Sequence, residues 1–251
     1  CLAYGVPCIS GKDSMKNDYT GGGRKISIPP TVLYSVLSVV PDVEKCVTMD
    51  FKSSGDLVYL LGMTYPELGG TEISQMFRAP FHDVPQVNAV EARERYLALH
   101  SAMQDGLVTA CHDLSDGGLG VAFAEMAMAG RLGARLDVSR VPTCPGDMET
   151  TDLLYAESNS RLLVTVRPDH APAFEERFAG RIISWVGEVT GTDTVEFARD
   201  DQVVLRVPVA ELVTAWKAPL AWGQAPAPSG AGAGGEFCSA PGGREECITH
   251  D

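Results

Sequence analysis

Residues 107–130 read LVTACHDLSDGGLGVAFAEMAMAG. Leu107–Cys111 is short and apolar, as a buried strand is, and it runs into a turn carrying His112, Asp113, Ser115 and Asp116. Gly117 and Gly118 follow, and the Ala- and Met-rich stretch Gly118–Ala129 predicts a helix stopped by Gly130 at the C′ position. A strand that feeds a helix through a glycine turn is the unit of layered α/β and α+β folds.

Outward from this unit, Asp56–Gly62, Leu162–Val166, Ile182–Val189 and Val203–Val207 predict further strands. Leu68-Gly69-Gly70-Thr71 opens a helix over Glu72–Phe77. Asn88–Gln104 has the spacing of a long amphipathic helix with apolar positions at Val90, Leu97, Ala98 and Met103, and Gly106 ends it. Ala171–Phe178 and Val209–Lys217 complete the helices. Upstream, Cys1–Ser10 reads as strand-forming core sequence and Asn17–Arg24 as a polar loop. Thr31–Val40 (TVLYSVLSVV) reads as a well-buried strand ended by Pro41-Asp42. A domain boundary is expected near Pro41–Gly55, and Gly223–Gly243, rich in Ala, Pro and Gly, is expected to be a linker or tail. Starting on Cys1 within core-like sequence, the chain reads as part of something longer.

Composition limits the partners. The 251 residues carry 20 Lys+Arg against 33 Asp+Glu, a net charge of −13, which argues against the basic face that nucleic acid requires. The same charge leaves a small phosphorylated ligand open, because backbone N–H groups can hold phosphate inside an acidic protein. Seven scattered cysteines with no C-x-x-C pair argue for a reducing compartment and against a disulfide or zinc framework. Apolar runs such as Val36–Val40 fall far short of a membrane span, so a cytoplasmic protein is expected.

Chemistry concentrates in two places. At Asp113–Gly118, a helix start offers unpaired N–H groups and positive partial charge, which suits phosphate. Carboxylates beside phosphate require a cation, and Mg²⁺, held by one or two carboxylates and by phosphate oxygens, fits. The same residues also suit a simple capping cluster, with Ser115 or Asp116 as the cap. The second place is Ser10-Gly11-Lys12-Asp13-Ser14, which sets a glycine, a cation, a carboxylate and a hydroxyl in a row without the spacing of a Walker A loop. Taken alone, this segment reads first as an ordinary polar turn and only second as a binding loop. Glu157-Ser158-Asn159-Ser160-Arg161 reads either as a solvated turn or as a polar cluster, Glu91–Arg95 as a solvated helix face, and Trp185, Trp216 and Trp222 as packing residues.

SGKDSMKND, IPPTVLYSVLSVVPDV, LGGTE, HDLSDGGLGVAFAEMAMAG and YAESNSRLLVTV, in that order, resemble the phosphoribosylformylglycinamidine synthases, ATP-dependent ligases of purine biosynthesis in the aminoimidazole ribonucleotide synthetase-like superfamily. The resemblance runs from about Gly5 to Trp222. It implies an α/β (α+β) fold: a synthetase-like C-terminal domain over 49–222 with a mixed sheet and helices on one side. The end of a synthetase-like N-terminal domain precedes it over 1–48, and a flexible tail follows over 223–251. It also implies nucleotide or phosphate contacts from Gly11, Ser14 and Ser115 and a metal ligand in Asp113, with ATP or ADP and Mg²⁺ as cofactors; the residues themselves add Lys12, Gly117 and Gly118 as phosphate contacts and Asp13 as a second metal ligand. Small-subunit members place a magnesium-binding Asn where this chain has Lys12, so Lys12 is expected to neutralise phosphate directly. The implied reaction joins ammonia to formylglycinamide ribonucleotide at the expense of ATP, through an iminophosphate. The ammonia comes from a glutaminase subunit or domain. The family keeps its catalytic histidine in its first half, so no catalytic residue is expected in this chain, which alone would be inactive. Two alternatives share the resemblance: a non-catalytic half stabilised by nucleotide, and a related phosphotransferase of selenophosphate synthetase or hydrogenase-maturation type.

Overall fold

The computed structural model describes residues 1–8, 10–11, 18–27, 32, 34–78 and 81–220. The expectations for Lys12, Asp13, Ser14, Trp222 and the stretch 223–251 lie outside the described residues.

The N-terminal segment departs most from expectation. Residues 1–8 and 10 form turns and irregular chain on the surface, where core strand was expected. The expected polar loop is a hairpin: Asp18–Gly21 (β1) pairs antiparallel with Arg24–Ser27 (β2) around Gly22-Gly23, and Lys25 reaches Asp18 at 2.7 Å. Glycine pairs at such turns supply the positive φ that a tight hairpin needs, and both Gly22 and Gly23 have it. Of the expected buried strand 31–40, the described residues are neither strand nor buried, and Val36, Leu37 and Val39 are 73–88% exposed. A β-branched run becomes a buried strand only when neighbouring strands cover it. Among the described residues none pairs with this one.

From Phe51 onward the sequence builds one seven-stranded sheet. Its elements are Leu57–Leu61 (β3), Glu72–Phe77 (α1), Ala89–Gln104 (α2), Ala110–Asp113 (β4), Gly118–Gly130 (α3), Gly133–Asp137 (β5), Thr150–Tyr155 (α4), Leu162–Val166 (β6), Ala171–Arg177 (α5), Ile183–Thr190 (β7), Thr194–Arg199 (β8), Gln202–Pro208 (β9) and Val209–Lys217 (α6). The strand order is β4-β6-β3-β7-β5-β8-β9, and only β5 and β8 run parallel. The expected mixed α/β architecture is therefore present. β5, β8 and α4 were not anticipated.

The helices occupy both faces of the sheet rather than one. Alternation along β3 explains this: Val58 and Leu60 point toward α3, α4 and α6, whereas Tyr59 and Leu61 point toward α2 and α5. The first face is packed by Phe123 edge-on against Phe51 and Phe197, at 5.6 and 5.5 Å between ring centres. The second is packed by Phe174 against Tyr59 and Phe178. Helix α2 buries Ala92, Arg95, Ala98, Leu99 and Ala102, and leaves Val90 and Leu97 exposed. Arg95 is thus not part of a solvated face; its guanidinium donates to the Ser160 carbonyl at 2.6 Å. Trp185 and Trp216, by contrast, are exposed rather than packed inside, and the Arg140 guanidinium lies 4.6 Å from the Trp185 ring centre.

Two boundaries moved for stated reasons. The strand expected at Leu107–Cys111 runs instead over Ala110–Asp113, so His112 and Asp113 belong to its end rather than to the turn. Gly130 is the last residue of α3, and the left-handed cap is Arg131. Glycine is required at 130 by close approach: a Cβ there would overlap the Phe51 carbonyl oxygen and lie 2.8 Å from the Phe51 nitrogen. Gly130→Ala is accordingly expected to lower stability by about 1–3 kcal/mol, as overpacking does. Chemical denaturation followed by Trp fluorescence measures this, and an unchanged midpoint would contradict the assigned contact.

Candidate functional site

Strand β4 pairs with β6 in the register Asp113↔Leu162 and His112↔Leu163, which places Asp113 at the strand's last position. The chain then passes Leu114, whose N–H donates to the Arg161 carbonyl, and Ser115, whose hydroxyl donates to Asp113 Oδ2. The Asp113 carboxylate is 67% exposed, and the Ser115 hydrogen bond, aided by His112, holds it below the usual carboxylate range. Asp113 and Ser115 are therefore brought together on an accessible turn.

The two glycines next to them serve the protein. Gly117 (φ 82°) and Gly118 (φ 64°) are both left-handed, and a Cβ on Gly118 would overlap the Ala156 carbonyl oxygen. The Gly117 N–H donates to Glu157 Oε1 at 2.8 Å, and the Gly118 N–H closes a turn on the Ser115 carbonyl at 3.0 Å. In this structure both amides are bonded to protein acceptors. Gly11 is exposed, and a Cβ built there meets no atom within 4 Å. None of the described residues lies against it.

The segment Glu157–Arg161, expected either as a solvated turn or as a polar cluster, is a polar cluster with Ser158 and Arg161 buried, and it supports the candidate site. Arg161 is 1% exposed and donates to the carbonyls of Ser158 and Ala156 and to the Thr64 hydroxyl at 3.1, 2.5 and 2.9 Å. Burial pulls its guanidinium down to about 10, against the pull of Glu67 and Glu157, so it stays a cation at neutral pH. Ser158, also buried, accepts from the Tyr65 N–H at 2.9 Å and donates to the Tyr65 carbonyl. Glu157 Oε1 accepts a second amide, from Glu72 at the start of α1, at 2.9 Å. Thr71 caps α1, its hydroxyl accepting from the Ser74 N–H. Glu157 and Arg161 are the residues that sequence reasoning missed as contributors, whereas Thr71 caps α1 as its place at the helix start predicts. The unusual density of polar side chains before an apolar strand was the available signal.

His112 turns the other way. Its Nε2 lies 2.8 Å from Glu125 Oε2 on α3 and its Nδ1 3.4 Å from Asp113. It opens on an apolar cleft of about 330 Å³ between α3 and α6, lined by Met49, Met128, Val213 and Trp216. Cys111, next to it, packs instead on the α2/α5 face, so the pair cannot converge on a metal. Burial, with Asp113 adding to it, pushes the Cys111 thiol up to about 12.

Residues 53–199 match the family model described as AIR synthase related protein, C-terminal domain. The chain belongs to the AIR synthase-related family. Over 223 residues it is 32% identical to phosphoribosylformylglycinamidine synthase subunit PurL of Alkaliphilus metalliredigens, covering 88% of this chain and 29% of that protein. Among solved structures, Thermotoga maritima PurL complexed with ATP aligns at 25% identity with a TM-score of 0.56, over 68% of this chain and 27% of that one. The same enzyme complexed with FGAR aligns at 23% identity and a TM-score of 0.60, over 68% of this chain and 30% of that one, which speaks for the fold. The chain thus spans about three tenths of the length of these relatives. Among the described residues, no helix is long and apolar enough to cross a membrane.

Two measurements check the electrostatics of this family member. Because the Asp113 value lies below the unfolded one, its ionised form stabilises the fold above the unfolded value and loses that effect as pH falls through the folded one. Ser115→Ala is expected to move the Asp113 carboxyl titration upward, read by carboxyl NMR. An unmoved titration would exclude the hydroxyl as the cause. Iodoacetamide at pH 8 is expected to alkylate Cys111 at least about a hundredfold more slowly in the native chain than in urea. Equal rates would contradict the burial.

Proposed function

We infer that this chain supplies a magnesium–nucleotide site to a ligase of the formylglycinamidine ribonucleotide synthase type. That ligase consumes formylglycinamide ribonucleotide, ATP and ammonia released by a glutaminase. The observation that carries the reading is the exposed, ionised Asp113 carboxylate at the end of β4, bonded to Ser115 within an AIR synthase-related domain. The relative's name and the ATP, ADP, AMPPCP and FGAR complexes of the T. maritima enzyme support it.

Magnesium fits the residues present. Among the described residues no three His, Cys, Asp or Glu side chains gather into a metal cage. Mg²⁺ does not require one, since it is commonly held by one or two carboxylates, waters and substrate phosphates. Asp113 would be one such ligand and Asp13 the second. The ion would supply charge neutralisation at the phosphates. The Ser115 hydroxyl orients the Asp113 carboxylate and lowers its titration, and Lys12, Ser14 and the backbone at Gly11 would complete the phosphate contacts. In this reading residues 1–48 end a synthetase-like N-terminal domain and 49–222 form the C-terminal one, working in the cytoplasm beside the enzyme's first half.

Isothermal titration of the full chain with Mg·ADP tests the assignment. Asp113→Ala is expected to weaken binding at least about tenfold, the scale on which changes around a bound metal act. Unaltered affinity in that variant would remove Asp113 from the site.

A further inference from the structure

A single carboxylate oxygen, Glu157 Oε1, accepts the backbone N–H of Gly117 at 2.8 Å and that of Glu72 at 2.9 Å. The first amide opens α3 and the second opens α1. These two helix starts lie 45 residues apart in sequence, from 72 to 117, and both are glycine-rich. Charge-assisted bonds of this type are shorter and about twice as strong as neutral ones. Glu157 cannot drift, because its neighbours are pinned: Ser158 to Tyr65, and Arg161 to Thr64, Ser158 and Ala156.

We propose that Glu157 is a positioning residue for the candidate nucleotide site: its carboxylate clamps the start of α3 to the start of α1 and thereby fixes the turn bearing Asp113 and Ser115. The link is continuous. Glu157 holds Gly117, the adjacent Gly118 N–H holds the Ser115 carbonyl, and the Ser115 hydroxyl holds Asp113. The proposal rests on the nucleotide reading of that turn. A carboxylate serving only as a helix cap would contribute stability and leave ligand affinity alone.

The test uses the full chain as wild type, Asp113→Ala, Glu157→Ala and Glu157→Gln, titrated with Mg·ADP and followed by backbone amide exchange. Glu157→Ala is expected to weaken Mg·ADP binding about tenfold or more, while Glu157→Gln, whose amide oxygen still accepts both N–H groups, stays within about threefold of wild type. The Gly117 and Glu72 amides exchange faster in Glu157→Ala, and the core strands keep their protection. Wild-type affinity in Glu157→Ala, with both amides exchanging faster, overturns the proposal and leaves a cap. Tighter binding in Glu157→Ala overturns it too, since the carboxylate would then compete with phosphate. No binding by wild type overturns the nucleotide reading instead, and the exchange of the two amides tells that failure apart from failure of the clamp.

Discussion

The buried guanidinium of Arg161 is the interaction on which the site's geometry depends. Three hydrogen bonds, to Ser158, Ala156 and Thr64, fold the 156–161 segment onto the loop that leaves β3. A buried cation without such partners costs several kcal/mol, so its acceptors are as fixed as it is. Everything around the Asp113 turn docks on that segment. Leu114 bonds the Arg161 carbonyl, α3 approaches Ala156 closely enough to require glycine at 118, and Glu157 holds two helix starts. The chemistry-bearing turn is exposed, but the frame under it is buried and polar.

This arrangement changes the meaning of the double glycine. In sequence, Gly117-Gly118 before a helix suggests open amides for phosphate. In the structure, left-handed backbone and the nearness of Ala156 already require glycine at 118, and both amides are used internally. The carboxylate and hydroxyl at 113 and 115 are what the turn presents outward. Neither Ser115 nor Asp116 caps α3 with its side chain, so the capping cluster read from the sequence is not formed.

Much of the fold was legible because its signals are local. Leu162–Val166 and Val209–Lys217 appear where their periodicity places them, and Glu72–Phe77 begins after a capping Thr71. What escaped notice depended on distant partners. The strand at Gly133–Asp137 opens on a glycine and carries Arg135, and its strand character comes from pairing with β7 and β8. The run at 31–40 has strand composition but no neighbour among the described residues. Asp113 and Ser115, as candidates, could be picked from the motif's spacing. Glu157 could not, because its two partners lie 40 and 85 residues away.

The pairing of β3 bears on how the chain acquires its fold. Leu57 sits opposite Val166 on one side and Glu188 on the other, so the central strand waits for partners more than a hundred residues downstream. At ribosomal speeds that interval is on the order of ten seconds. Loop closure over such distances is also entropically slow, which sets this topology among the sluggish folders. For that interval the LVYLL strand, apolar on both faces, has no sheet to join. An unpaired apolar strand of this kind is the part of a nascent chain most open to pairing with another copy.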